Sequence, residues 1–528
     1  MSRAQIRAIY GFMAVRICIV SLEGTLQTLM LTALFTCIKN KDKDAHITLI
    51  LDKKDKNITD IIGDVDAFLF FDKDSTIDRL SSDNHTLLNN NEYIKKQLRD
   101  LTSQPFDLVI NTGPDNLSSI VASMVDARSI EGVVYDEYGK KWIENPWLAY
   151  LNSVYEDDHS NLFHYVDLIT AGCNAFRSIK SVMSDTGALC KRILIDLNDY
   201  KEGSVLAREL NKKIETEYKN FTVTITDEKL SIKDMSELIK NSSIVITSNY
   251  IWSTVACYYG KKVIFVASDD KYVMNGPYGE GHLILKARSE GADVKEDLFN
   301  LFEFAFCQKD KNTLITSSTD VFVSRYDNDG FMEYVPFLKA AMSDHELYRW
   351  IYKAVFKGTI GRSVKAGDPQ RFLAFGEKYI DRVVDIDRAV EYLSEKIFTK
   401  YEAESVKKVM NGFNEAINSV VELKQVAFEG QKKSREFLNI IAINSGDLDE
   451  IKKKRKELTE TDNLIYKMLK DGKWYLGPII RTFMKERDDS HIVNLFPLAK
   501  RTIVNYEDLF SKASFLEEII RGLWKRIN

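Results

Sequence analysis

Cysteine is sparse and scattered: Cys18, Cys37, Cys173, Cys190, Cys257 and Cys307, with no Cys-x-x-Cys pair. That spacing argues against a structural zinc site. Most of the six sit in apolar segments, where a reduced thiol packs as a small hydrophobe, so the expected setting is a reducing cytoplasm. The seven histidines do not cluster, and His159 and His164 miss the i, i+4 spacing of a helical metal pair. No apolar run reaches the roughly 18–20 residues of a spanning helix. The apolar part of Met1–Val20 reads as a strand without a cleavage pattern. Charge of one sign is also lacking: 73 Lys and Arg face 78 Asp and Glu, net −5, with acids and bases intermixed. Nothing global draws such a chain to nucleic acid or anionic lipid. No Gly-x-Gly-x-x-Gly follows the first strand, which argues against a dinucleotide oxidoreductase. No Asp-x-Asp follows an apolar strand; Asp157-Asp158 and Asp269-Asp270 read as solvated neighbours, and no metal is expected.

At 528 residues the chain calls for two to four domains. Residues 1–14 form an arm before the first strand. From 15 to 136, short apolar runs at 15–20, 46–51, 67–71, 106–111 and 131–135 alternate with helical patterns at 26–40, 85–101 and 115–125. Such runs suit a parallel sheet covered on both faces, and the alternation predicts a doubly wound lobe. Residues 137–190 change character. Trp142, Trp147, Tyr150, Tyr155, Phe163 and Tyr165 lie among acids there and predict short helices with an aromatic interface core. A second alternation fills 191–337, with strands at 192–197, 221–226, 243–247 and 262–267 and helices at 203–219, 231–240, 250–259 and 295–307. It closes on an arm, Val321–Val335, with a turn at Asn328-Asp329-Gly330. From 338 to 528 the strand signal stops. Helical patterns at 338–357, 369–403, 405–444, 447–471, 474–488 and 496–526 predict an α-helical bundle. Apolar residues crowd Trp474–Ile479 and Phe515–Trp524, predicting a self-association or protein-docking surface wherever they are exposed.

The stretch Ile244–Ala287 concentrates the chemistry. A buried-type strand ends in the polar corner Thr247-Ser248-Asn249, a helix follows, and a second strand opens into Asn275-Gly276-Pro277-Tyr278-Gly279-Glu280-Gly281-His282. Ligands of parallel α/β sheets bind at the carboxyl ends of strands, where helix N-termini present free N–H groups. The corner supplies hydroxyls and an amide, and the glycines allow backbone N–H groups to approach a phosphate. These features predict an anion or nucleotide site.

The same stretch carries a resemblance. Gly276-Pro277-Tyr278-Gly279 after a strand resembles the donor-site loop of glycosyltransferase family 9, the ADP-heptose:lipopolysaccharide heptosyltransferases. Val15–Leu22 followed by Thr32-Ala33-Leu34 is similar to that family's opening strand and helix, and Phe106–Asn111 to its "YDLVINL" strand. Asp136–Asp167 is similar to an inter-lobe segment of longer members. The resemblance covers about 15–337. It implies an α/β fold of the GT-B type, a pair of Rossmann-type lobes with the helical bundle appended. It also implies metal-independent, inverting transfer from a nucleotide-diphosphate sugar, ADP-linked in that family, to a glycan, lipopolysaccharide or protein acceptor. Such a protein would work in the cytoplasm, peripherally at the inner membrane, on bacterial cell-surface glycan. The implied donor residues are Lys201, Thr247, Ser248, Asn249, Gly276, Pro277, Tyr278, Gly279, Glu280 and His282.

The chain departs from the family at telling places. Asn249 stands at the family's corner Asp, Ile251 at its Gly and Thr254 at its His. The first loop, Ser21-Leu22-Glu23-Gly24-Thr25-Leu26, puts Thr25 or Leu26 where the family has its presumed base Asp. Glu23 is the only carboxylate in that loop and the candidate base, though two or three positions out of register. Two readings follow: a working transferase, or a catalytically degenerate body kept as a scaffold or interaction protein.

Overall fold

The computed structural model describes residues 15–82, 87–99, 105–135, 141–142, 145–154, 162–172, 192–226, 230–289, 293–306, 318–327, 329–338, 342–366, 386–442, 448–471, 473–487 and 495–527. The predicted arm 1–14 lies outside them, as do Cys173, Cys190 and Cys307. The chain divides into an α/β unit holding both sheets and a helical unit to which residues 153–162 also belong.

In the first lobe the order is β1 (Arg16–Ser21), α1 (Thr25–Met30), α2 (Thr32–Lys41), β2 (His46–Asp52), a 3₁₀ turn (Lys53–Ile58), β3 (Ala67–Phe71), α3 (Lys73–Leu80), α4 (Leu87–Gln97), β4 (Leu108–Asn111), α5 (Asn116–Met124) and β5 (Ile130–Gly132). The sheet runs β3-β2-β1-β4-β5, all parallel. β1, β2 and β4 are buried almost throughout, which is why they read as continuous apolar runs. The predicted strand 131–135 is cut at Gly132, whose φ of 104° suits glycine alone. Beyond it, β6 (Val134–Tyr135) pairs with β7 (Lys141–Trp142) in a separate hairpin. α3 is absent from the sequence reading because it lacks an apolar stripe. Its start is local chemistry, Asp72 accepting from the Ser75 N–H at 3.1 Å.

Two short helices follow, α6 (Pro146–Val154) and α7 (Tyr165–Gly172). Trp147 and Tyr150 pack edge-on against Phe163, each at 5.4 Å, so the described aromatics of this segment are an interior cluster.

The second lobe runs β8 (Arg192–Asp196), α8 (Gly203–Glu217), β9 (Thr222–Ile225), α9 (Ile232–Lys240), β10 (Ile244–Thr247), α10 (Tyr250–Tyr258), β11 (Lys262–Ala267), α11 (Tyr272–Asn275), β12 (Leu283–Ala287), α12 (Lys295–Phe306), β13 (Thr319–Tyr326) and β14 (Met332–Pro336). Its sheet is ordered β14-β13-β12-β11-β10-β8-β9, parallel from β12 to β9, with β13 antiparallel to β12. Val321–Val335 is thus an antiparallel edge, and Gly330 of its turn has φ 93°. The two doubly wound lobes are the pair expected of a GT-B-like fold.

The helical unit contains α13 (Asp344–Ala366), α14 (Ile386–Lys400), α15 (Ala403–Met410), α16 (Phe413–Ala442), α17 (Leu448–Lys470), α18 (Gly477–Arg487) and α19 (Leu495–Ile527). α16 and α19 lie antiparallel, stitched by Lys424–Glu517 and Arg435–Glu507. Leu476, Ile479, Phe515, Leu516, Ile519, Ile520 and Leu523 are buried in this unit. The apolar crowding that suggested an outward surface is therefore core. The exposed apolar side chains are others, with Phe428 and Val504 more than half exposed.

Two helical glycines mark where this unit packs tightest. A Cβ on Gly358 would overlap the Phe515 ring, and one on Gly430 the Tyr506 ring. On a solvated helix, Gly→Ala stabilises by about 1 kcal/mol. At Gly430 the overlap with a buried ring outweighs that gain, because overpacking costs about 1–3 kcal/mol. Gly430→Ala is expected to lower the urea midpoint, whereas an alanine tolerated at wild-type stability would show that the ring has room to move.

Candidate functional site

In each sheet one place splits the chain to opposite sides, and loops diverging there leave a crevice. In the second sheet it lies between β8 and β10. The loop after β8 holds Asn198, Asp199 and Lys201, and that after β10 holds Ser248 and Asn249. Lys201 is exposed. α8 starts hard against its strand: a Cβ on Gly203 would overlap the Leu197 carbonyl oxygen, and Glu202 before it is left-handed at φ 59°.

The corner is wired locally. The Asn249 N–H donates to Thr247 Oγ1 at 3.0 Å, and Asn249 Oδ1 caps α10 by accepting from the Trp252 N–H at 3.1 Å. Asn249 Nδ2 donates to Asp199 Oδ2 at 2.5 Å, joining the two crevice loops. Asp196, at the end of β8, is buried and takes donors from Thr226 and Asn198. Burial pushes its carboxyl above the ordinary carboxylate range. Ser248 stands apart. Its N–H donates to the Asp196 carbonyl at 3.1 Å, yet its buried Oγ has no hydrogen-bond partner among the described residues. A buried hydroxyl without a partner costs about 1–3 kcal/mol.

The loop after β11 behaves differently from its sequence expectation. Gly276, Pro277, Tyr278 and Gly279 are buried, and Glu280 alone of the five in Gly276–Glu280 is exposed. The Gly276 N–H donates to the Tyr272 carbonyl, and the Gly276 carbonyl accepts from His164 Nε2 at 2.9 Å. Tyr334 donates to the Pro277 carbonyl, Tyr278 Oη to Asp167 Oδ1 at 2.8 Å, and Ser324 to the Gly279 carbonyl at 2.6 Å. His282 is buried, its Nδ1 accepting from the Val263 N–H at 3.3 Å. These groups anchor the loop inward, and of the residues expected at the donor site Lys201, Ser248 and Asn249 lie on the two loops that diverge between β8 and β10.

In the first sheet the divergence lies between β1 and β4, and Glu23 sits there. A Cβ on Gly113, after β4, would overlap the Ser118 side chain first and come within 3.0 Å of Glu23 Oε1. Tyr165 donates to Glu23 Oε2 at 3.0 Å, and Lys73 Nζ to the Leu22 carbonyl at 2.6 Å. One group escaped the sequence reading. Asp55, in the turn after β2, is buried and accepts from Thr25 Oγ1 at 2.5 Å. Burial raises its carboxyl above the ordinary value. Its place just past a strand's carboxyl end was the available signal.

No family model and no curated protein matches the sequence. Solved structures similar to this chain include the E. coli heptosyltransferase WaaC with ADP-2-deoxy-2-fluoro heptose, at 12% identity and TM-score 0.38 over 55% of this chain and 98% of that one. A glycosyl transferase family 9 structure from Veillonella parvula gives 12% and 0.39 over 56% and 98%. E. coli ADP-heptose lps heptosyltransferase II gives 8% and 0.34 over 56% and 99%. Superpositions at such scores fix no residue correspondence, and the site stands on this chain's own atoms.

Burial lowers the His282 pKa from 6.5 to about 3. The unfolded chain therefore binds a proton below about pH 6.5 that the folded chain refuses, and this contribution to stability is lost as pH falls from 6.5 toward 3. His282→Gln removes that term. The stability gap between wild type and variant is expected to narrow by about 2 kcal/mol between pH 7 and pH 5. Urea unfolding at both pH values reads it, and a gap unchanged with pH would mean that His282 titrates normally.

Proposed function

We propose that the chain is a glycosyltransferase that holds a nucleotide-diphosphate sugar at the second-lobe crevice and passes the sugar to a glycan, lipopolysaccharide or protein acceptor. The observation that carries this reading is the partnerless buried hydroxyl of Ser248 beneath the start of α10. A helix start and a hydroxyl suit a diphosphate oxygen, and Lys201 on the facing loop supplies charge. The sequence resemblance selects an ADP-linked donor and an inverting displacement without a metal. The leaving diphosphate would be met by N–H groups, hydroxyls and Lys201, and a first-lobe carboxylate would take the acceptor's proton. Glu23 is the carboxylate nominated by position.

The scaffold reading has its own support. Asp199 lies beside Asn249, and Tyr250 Oη donates to Asp269 Oδ1 at 2.8 Å, so carboxylates border the corner that a dianionic diphosphate would enter. One variant separates the readings. Ser248→Ala removes an unsatisfied buried group, so the ligand-free protein should gain stability. It also removes a ligand contact, so ADP should bind about tenfold more weakly, equivalent to about 1.4 kcal/mol. Calorimetric titration with ADP, UDP and GDP measures this; wild type that binds none of them sinks the transferase reading.

The helical unit is proposed to dock a partner or a second copy through its exposed apolar side chains. Because residues 153–162 belong to it, surface substitution tests this more cleanly than truncation near 337. Phe428→Glu and Val504→Glu are each expected to lower the mass seen by light scattering while the circular dichroism spectrum stays unchanged. Wild type already monomeric at the same concentration would leave only a heterologous partner.

A further inference from the structure

We infer that the proton acceptor for sugar transfer is the Thr25–Asp55 pair, with Thr25 facing the acceptor hydroxyl and Asp55 receiving the proton through it. The inference rests on the transferase reading above. Thr25 or Leu26 occupies the register where the sequence resemblance places a carboxylate; of the two only Thr25 carries a hydroxyl, and a threonine alone is no base. Its hydroxyl, however, is committed to Asp55 Oδ1 at 2.5 Å, across 30 residues of sequence. Asp55 is buried and Thr25 half-buried, so the hydroxyl is the accessible end of the pair and the carboxylate the shielded end. Both carrying elements face the second lobe: α1 packs against α10, and the 3₁₀ turn packs against α9. Glu23, by contrast, is held by Tyr165.

Atoms balance in one displacement. The acceptor O–H proton passes to Thr25 Oγ1 as the Thr25 proton passes to Asp55 Oδ1. The acceptor oxygen bonds to the anomeric carbon, and the anomeric C–O bond breaks with its electron pair leaving on the diphosphate. Asp55 then returns the proton to solvent. Asp52 raises the Asp55 carboxyl further, and Lys54 and Lys73 lower it, with burial the largest influence. α1 and β3 bring no charge, His46 lies at the far end of β2, and α9 carries Lys233, Asp234 and the mutually paired Glu237 and Lys240.

The test uses the full chain and ADP-, UDP- and GDP-linked sugars, following nucleoside diphosphate release with water as acceptor. Asp55→Asn and Thr25→Val should each lower kcat at least a hundredfold and leave ADP affinity within about twofold. Thr25→Ser, which keeps the hydroxyl, should restore kcat to within about tenfold of wild type. Activity requires ionised Asp55, so the wild-type rate should fall as pH drops through a pKa above the ordinary 3.8, an acid limb that Asp55→Asn lacks. Turnover by Asp55→Asn or Thr25→Val within threefold of wild type would overturn the pair and leave the transferase reading standing. Glu23→Gln alone abolishing turnover would return the role to Glu23. Wild type that neither binds nucleotide nor releases it from any donor would overturn both.

Discussion

Asp167 is the constraint on which the α/β unit depends. It is wholly buried, and both of its oxygens accept bonds from the second lobe: Oδ1 from Tyr278 Oη and Oδ2 from the Met332 N–H at 2.7 Å. Two positions earlier, Tyr165 donates to Glu23 in the first lobe, and His164 donates to the Gly276 carbonyl in the second. Three residues of the run His164–Asp167 thus hold the tip of β1, the loop after α11 and the start of β14. A buried carboxylate left without these donors would be costly. The network therefore fixes the Gly276–Gly279 loop more firmly than its glycines suggest, and Tyr278 is a structural strut in consequence.

The sheets were legible because burial on both faces writes itself into sequence. β2, β10 and β11 are runs of Ile, Leu, Val and Phe with almost no exposed position, and such runs have little alternative to a covered parallel sheet. The corner Thr247–Asn249 was legible for a related reason: a strand end followed by Asn and an apolar helix is a capping pattern, and Asn249 does cap α10. What local pattern could not supply was direction. Nothing in Gly276–His282 says that Tyr278 and His282 face inward, because that depends on Asp167, Ser324 and Val263, at separations of 19 to 111 residues. Asp55 was missed for the same reason, since its partner Thr25 lies on another element. The apolar crowding at 515–524 left core and docking surface both open, because periodicity reports a buried face without reporting what covers it.

The electrostatics of the two crevices differ in a way that matters for any transfer chemistry. At the second-lobe crevice Asp196 is buried, which raises its carboxyl above the ordinary value, and it accepts hydrogen bonds from Thr226 and Asn198. Asp199 is tied to Asn249, and Asp270 is neutralised by Lys286 at 2.5 Å. The acids bordering the corner are thus each paired or hydrogen-bonded, and Lys201 is exposed on the facing loop. Across the unit, the first-lobe edge keeps Glu23 hydrogen-bonded to a tyrosine and Asp55 to a threonine. On the proposed reading, the second-lobe crevice would receive negative charge and the first-lobe edge would take a proton. Displacement of a diphosphate by a hydroxyl demands that division of labour, and strand ends, capped loops and buried carboxylates are the parts of this chain that would supply it.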